Sequence, residues 1–374
     1  MKKLKKVRYN MLFKKSIGIG LVCLGFIIPV QAQLIEKTKS FNKTFPVSKT
    51  TELTVTNKYG NIHLVQWQSD SVRFEVSVRV ADPKDARVEK LFNEIDVVFT
   101  HSPYYVNATT TFASAGKLWS ELSDMTKSVM NSGSAATINY TIYLPDYLRV
   151  KIDNRFGNIY TTDHKYNAEF RLSNGTLQAN DLSGKCLIVV EFGNANINSI
   201  EEGRIELNYS EIDLAKGKNI NLIGRSSTAQ LIDIEQINLD SRRDKIIISK
   251  ANSITGETSF SRLTINHLQT DFMVNSEYGT IQFLKMSPEI KYLQLNSAYT
   301  VANIYVNPSI NAEVEANLTK KTKVVYPPSM TNVENLQISI ENDKQLFKGK
   351  LGKGSESELK FNMTGGELNI YMKP

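Results

Sequence analysis

The stretch NKYGNIH at residues 57–63 returns, slightly altered, as NRFGNIY at residues 154–160. Aligned on the residue before the glycine, the pattern continues through Phe156, Asn174, Phe192, Tyr209, Ser226, Arg243, Phe260, Tyr278 and Tyr299, in steps of 18, 18, 17, 17, 17, 17, 18 and 21 residues. The next column reads Gly157, Gly175, Gly193, Ser210, Ser227, Asp244, Ser261, Gly279 and Thr300, residue types that tight turns favour. The chain therefore turns a regular corner every 17 or 18 residues.

Apolar columns flank that corner. After it stand Ile159, Leu177, Ala195, Ile212, Ala229, Ile246, Leu263, Ile281 and Ala302, and two positions on Thr161, Ala179, Ile197, Leu214, Leu231, Ile248, Ile265, Phe283 and Ile304. Before it, Val150, Ala168, Cys186, Gly203, Ile220, Ile237, Ile254, Phe272 and Leu293 make one column, and Ile152, Phe170, Ile188, Ile205, Leu222, Leu239, Gly256, Val274 and Leu295 another. Polar residues alternate with them, so each unit is expected to carry two half-buried strands. So short a unit has no room for a crossover helix, and like-on-like columns place each strand beside its counterpart in the next unit. The expected fold is all-β, a parallel β-solenoid (β-helix) of about 17–18-residue rungs.

A further copy, LTVTNKYGNIHL from Leu53, is separated from the next rung by an insertion, and another, LKFNMTGGELNIY from Leu359, closes the chain. Open sheet edges recruit further strands, so these end copies read as caps. Within the insertion, Asp82-Pro83 followed by Ala86, Val88, Leu91, Phe92 and Ile95 predicts a helix with Asp82 as N-cap and proline at its first position. A second amphipathic stretch, about Lys117 to Met130, predicts another helix, and INYTIYL before Pro145 a strand.

The chain opens with Lys2, Lys3, Lys5, Lys6, Arg8, Lys14 and Lys15, runs apolar from Ile17 to Val30, and offers Val30-Gln31-Ala32 as a small-residue cleavage site. This is the pattern of a secretory signal peptide, and the apolar run is short of the roughly 20 residues that span a bilayer. The expected organisation is a signal peptide at 1–32, an N-terminal cap and first rung at 33–66, a helix-bearing insertion at 67–147, contiguous rungs at 148–306, and a C-terminal rung and cap at 307–374. Taking those seven from the 45 basic residues leaves 38 against 38 acidic, so the basic balance belongs to the targeting segment. It argues neither for nucleic acid nor for an anionic membrane. Beyond residue 32 only Cys186 remains, so no disulfide within the exported chain is expected.

The FGN-type corners, the signal peptide and the insertion before YTIYLPDYLRVKIDN resemble the bacterial "putative adhesin" domain family, relatives of auto-transporter adhesin head (GIN) domains. The resemblance spans about Leu53 to Tyr371 and implies an exported β-solenoid with no catalytic signature to carry over.

Candidate chemistry is sparse. His63, His101, His164 and His267 share no metal-ligand spacing, and no serine-hydrolase, Walker or dinucleotide motif occurs, so no metal and no cofactor are expected. Cys186 falls in an inward column and reads as a small buried hydrophobe. Period-two alternation places the aromatic corner residues inward as core stacking, with a sugar-stacking strip as the alternative. Arg225, Arg242 and Arg243 would cluster on adjacent rungs as candidate ligand-binding residues for a carboxylate or phosphate polymer. The plainer reading is a solvated ladder neutralised by Glu191, Asp240 and Asp244.

The expected role is an exported, non-catalytic, adhesin-like binding or structural module in the periplasm, at the cell surface or outside the cell. Its partner would be a surface glycan, an envelope polymer or a protein, with no nucleic acid and no stable membrane span after signal cleavage. The alternative is a polysaccharide lyase or glycoside hydrolase on a parallel β-helix, which would require paired carboxylates in a cleft. A periplasmic partner of a signalling system is a third possibility that the residues neither favour nor exclude.

Overall fold

The computed structural model describes residues 34–113, 135–319, 321–339, 344–354 and 356–373; the expected signal peptide and the expected helix at Lys117 to Met130 lie outside them. The described chain is nearly all β, its 23 strands joined in one mostly parallel sheet. The strands Thr176–Glu191, Asn194–Asn208, Glu211–Arg225, Thr228–Arg242, Lys245–Ser259 and Arg262–Glu277 each pair in parallel with the next. Their register is the one the columns imply: Ile212 lies beside Ala229, and Leu214 beside Leu231. Every member of the four apolar columns is buried except Thr161 and Gly256.

Two strands were expected per unit, yet each of these units holds one strand of 15 or 16 residues running from corner to corner. The halves are joined through a further buried column, Leu182, Ile200, Gly217, Ile234, Ala251, Leu268 and Met286. Within the long strands it stands three residues after the apolar column before it and three or four before the next, so the alternation resets there and the backbone bends.

The corner follows from backbone stereochemistry. Each residue before the small one is left-handed, from Phe156 at φ 57° through Phe192 at 52° and Phe260 at 54° to Tyr299 at 53°. Non-glycine residues adopt this region at a cost on the order of 1 kcal/mol each. The ladder carries on through it: Phe156 N donates to Ser173 O at 2.9 Å and Tyr209 N to Arg225 O at 3.0 Å. The glycine that follows is needed for space. A Cβ on Gly157 would lie 1.9 Å from Gly60 O, and one on Gly193 2.4 Å from Gly175 O.

Both asparagines of the repeated motif have work in this corner. Asn57 and Asn154 are buried; Asn57 donates to Ile138 O at 3.0 Å and Asn154 to Gly60 O at 2.9 Å. The second asparagine of each copy lies outside the turn, where Asn61 Oδ1 accepts from Asn158 N and Asn158 Oδ1 from Thr176 N, each at 2.9 Å. Further along, hydroxyl and carboxylate groups take over. Ser210 Oγ accepts from Gly193 N, Ser227 Oγ from Ser210 N, Asp244 Oδ1 from Ser227 N and Ser261 Oγ from Asp244 N.

The end copies join the same ladder. Glu52–Lys58 pairs in parallel with Arg149–Arg155, and Ser357–Met372 with Tyr292–Val306. In the insertion, Ser71–Asp82 runs antiparallel to Ile35–Pro46 and to Ala135–Leu144, the latter covering the expected INYTIYL strand. The helix forms at Asp85–Glu94 and buries Val88 and Leu91, but its N-cap is Lys84. Asp82 instead accepts from Lys84 N at 2.8 Å as a turn ahead of the helix. At the other end, Lys344–Leu351 is antiparallel to Ala312–Thr319, which lies parallel to Ser357–Met372.

Candidate functional site: an aromatic and basic ridge

The corner rings face solvent, against the expectation of core stacking. Phe192, Tyr209, Phe260, Tyr278 and Tyr299 are 48–62% exposed. The reason is local: a left-handed residue swings its side chain out of the alternation of the strands beside it. The rings lie nearly parallel on one another: Phe192 on Tyr209 at 5.5 Å, Phe260 on Tyr278 at 5.1 Å and Tyr278 on Tyr299 at 5.2 Å between centroids. Tyr59 and Phe156 stack likewise at 5.3 Å. Ser226 and Arg243 interrupt the series between Tyr209 and Phe260, and Asn174 interrupts it between Phe156 and Phe192.

The three arginines singled out from sequence do converge here, with Arg225 in register with Arg242 and Arg243 at the next corner. Their environments differ. Arg225 is tied to Asp240 at 2.9 Å and donates to Gly224 O at 2.7 Å, and the Asp240 hydrogen bond pushes its pKa further up. Arg242 and Arg243 are exposed, and among the described residues neither guanidinium meets an acid. Lys245 and Arg262, adjacent in register on the strands leaving the corner, are also exposed and unpaired among the described residues. Lys245 stands directly beside the arginine cluster in the sequence, whereas nothing there marks Arg262.

Of the three acids expected to neutralise the arginines, Asp240 does so for Arg225. Glu191 accepts from Ser173 Oγ at 3.2 Å. Asp244 is buried behind the corner, accepting from Ser227 N at 2.7 Å, Ser241 Oγ at 2.7 Å and Arg242 N at 3.0 Å. Burial raises its pKa above the ordinary carboxylate value, with these hydrogen bonds and the more distant Arg225 charge working against the rise. Gly224 leaves room for the carboxylate, since a Cβ there would lie 2.1 Å from Asp244 Oδ2.

Open grooves of about 490 and 500 Å³ follow the rings, one along Phe260, Tyr278 and Tyr299, the other along Phe192 and Tyr209. A third concavity of about 550 Å³ lies on the strand preceding the corner, beside Cys186 and Arg204. Lys185 there is held by Glu202 at 3.0 Å, and Arg204 by Glu206 at 2.6 Å. Cys186 is buried, and desolvation pushes its thiol up to about 12, far from the range of a reactive thiolate. Of the histidines, His63 stacks on Tyr160 at 4.5 Å, His101 packs on Phe45 at 4.8 Å, and His164 is buried with its pKa lowered by desolvation.

No family model and no curated protein matches the chain. Among solved structures it is similar to a "putative cell adhesion protein" from Clostridium sporogenes, with 9% identity over 90% of this chain and 100% of that one and a TM-score of 0.18. It is also similar to a "putative adhesin" from Bacteroides fragilis, with 12% identity over 71% and 97% of the two chains and a TM-score of 0.29. A "putative lipid binding protein" from Parabacteroides distasonis matches with 11% identity over 88% and 96% and a TM-score of 0.26.

Proposed function

We propose that the chain is an exported, non-catalytic binding module of adhesin type, in which the parallel units coil as a β-solenoid of about 17–18 residues per rung. Residues 1–32 act as its signal peptide, 33–66 and 307–374 carry the terminal rungs and caps, 67–147 form the insertion and 148–306 the contiguous rungs. In this reading the corners form a linear contact surface for a surface glycan, an envelope polymer or a protein. The chain works in the periplasm, at the cell surface or outside the cell. No helix among the described residues is long and apolar enough to cross a membrane.

The observation that carries this reading is the line of exposed rings. Each large apolar side chain left in water forgoes about 1.5–3 kcal/mol of burial, and contiguous exposed apolar surface marks a contact site. Several acids of the same body are held in ion pairs: Glu169 with Arg171 at 2.5 Å, Glu206 with Arg204 at 2.6 Å and Asp233 with Lys250 at 3.5 Å. Asp244, whose pKa is raised, is enclosed by three donors and offers no proton to an outside substrate. This distribution favours adhesion over acid–base hydrolysis.

The test is retention of the exported chain on a panel of immobilised bacterial surface polysaccharides and envelope fractions. A variant carrying Phe192→Ser, Tyr209→Ser, Phe260→Ser and Tyr278→Ser serves as comparison, because serine already occupies this left-handed position at Ser226. Retention of the parent and loss in the variant are expected. Equal retention of both, or of neither, contradicts the reading.

A further inference from the structure

We infer that the groove beside Phe260, Tyr278 and Tyr299 is a subsite for a carboxylate-bearing polysaccharide, a polyuronate, held by Lys245 and Arg262; this rests on the binding reading above. Lys245 and Arg262 are register partners one strand spacing apart, roughly 4.8 Å. Both border the groove. Two exposed cations side by side repel each other, and an ion-pair partner would relieve them; the described residues supply none. Arg242 and Arg243 extend the positive field past the end of the ring stack.

The neighbouring acids do not cancel this field. Asp244 lines the floor but is buried and bonded to the corner. Glu211 stands two register steps from Lys245, beyond Thr228. Glu277 precedes the corner and is in register with Ser259, so it belongs to the opposite flank. At this groove the strands leaving the corner present Lys245 and Arg262, while Glu277 lies on the strand entering it.

The rings narrow the ligand class. Because Phe260, Tyr278 and Tyr299 lie face to face, with interplanar angles of 7° and 10°, four of their six π-faces are taken by one another. A single-stranded nucleic acid would need those faces for its bases. What the stack offers outward is ring edges, the positive rim of the aromatic quadrupole, which suits oxygen-rich and anionic groups. A polyuronate repeats a carboxylate on every sugar along a line, and a guanidinium matches a carboxylate as a two-pronged donor.

Binding of polygalacturonate to the exported chain tests the inference, measured beside its carboxyl-reduced neutral counterpart, polyphosphate and phosphatidylglycerol vesicles. Polygalacturonate should bind at low ionic strength, weakening as sodium chloride is raised, and Lys245→Gln with Arg262→Gln should weaken it about tenfold. The neutral polymer should bind at least about tenfold less tightly than the acidic one. Equal binding of the neutral polymer, unaffected by the double substitution, overturns the polyuronate subsite and leaves the adhesin reading standing. Preference for polyphosphate or vesicles overturns the saccharide assignment. Failure to retain any polymer here or in the wider panel overturns both.

Discussion

Asn57 Nδ2 donates to Asn154 Oδ1 at 3.1 Å, joining the first asparagines of two motif copies 97 residues apart. The same Asn57 side chain accepts from Thr110 Oγ1 at 2.8 Å, so its amide is used on both sides within the buried turn. Replacing Asn154 by alanine takes one partner from the Asn57 amide, which keeps Ile138 O, and leaves Gly60 O with only the longer 3.4 Å bond from Asn57 Nδ2, so it should cost about 1–2 kcal/mol. Urea unfolding checks it. A loss below about 0.5 kcal/mol would show that the asparagine pair is dispensable.

The corner glycines give a graded prediction. The clearance for a Cβ against the neighbouring corner carbonyl grows from 1.9 Å at Gly157 to 2.6 Å at Gly279, and serine stands in this column at Ser210, Ser227 and Ser261. Gly157→Ser should therefore cost about 3 kcal/mol, and Gly279→Ser about 1 kcal/mol, because overpacking scales with how far the backbone must shift. Thermal unfolding of the two variants should rank them in that order.

Leu231 is 1% exposed and sits between Leu214 and Ile248 in the ladder. Leu231→Ala should cost about 2–5 kcal/mol as a cavity in a core that cannot collapse along the stack axis. Chemical denaturation that finds less than about 0.5 kcal/mol would mean the column does not pack as described.

Asp244 should leave a signature in the pH dependence of stability. Its folded pKa lies above the ordinary 3.8, so between those two values the folded state binds more protons than the unfolded one. Its contribution therefore rises as pH falls through that window and is lost as pH climbs past the folded pKa, opposite to the carboxylates held low, such as Glu169 and Asp181. Asp244→Ser, the residue of the flanking corners, should flatten this component in denaturant midpoints measured across the acid range. An unchanged slope would contradict the raised pKa.

The strand columns were legible because period-two burial and a fixed repeat are local properties of the residues. The outward rings were not, since the alternation was carried through a left-handed residue that reverses it. The column through Ile200, Gly217 and Ile234 escaped notice because it lies three residues from its neighbours, out of phase with both half-strands. The arginine cluster was visible in the register, but the Arg225–Asp240 pair depends on side-chain reach across units. Lys245 was visible beside the arginine cluster, but Arg262 fell in a column whose other members include Asn158, Thr176, Asn194, Glu211, Thr228, Thr280 and Val301, with no shared chemistry to mark it.

The central claim is that equivalent residues of successive units stack in register to form a straight ridge. Spin labels at Asn194 and Arg262 lie four register steps apart, and at Asn194 and Glu367 seven. Pulsed dipolar spectroscopy should return separations of about 19 Å and about 34 Å, a steady rise of roughly 4.8 Å per step. Distances that do not grow with the number of steps, or that place Glu367 nearer to Asn194 than Arg262 is, would contradict it.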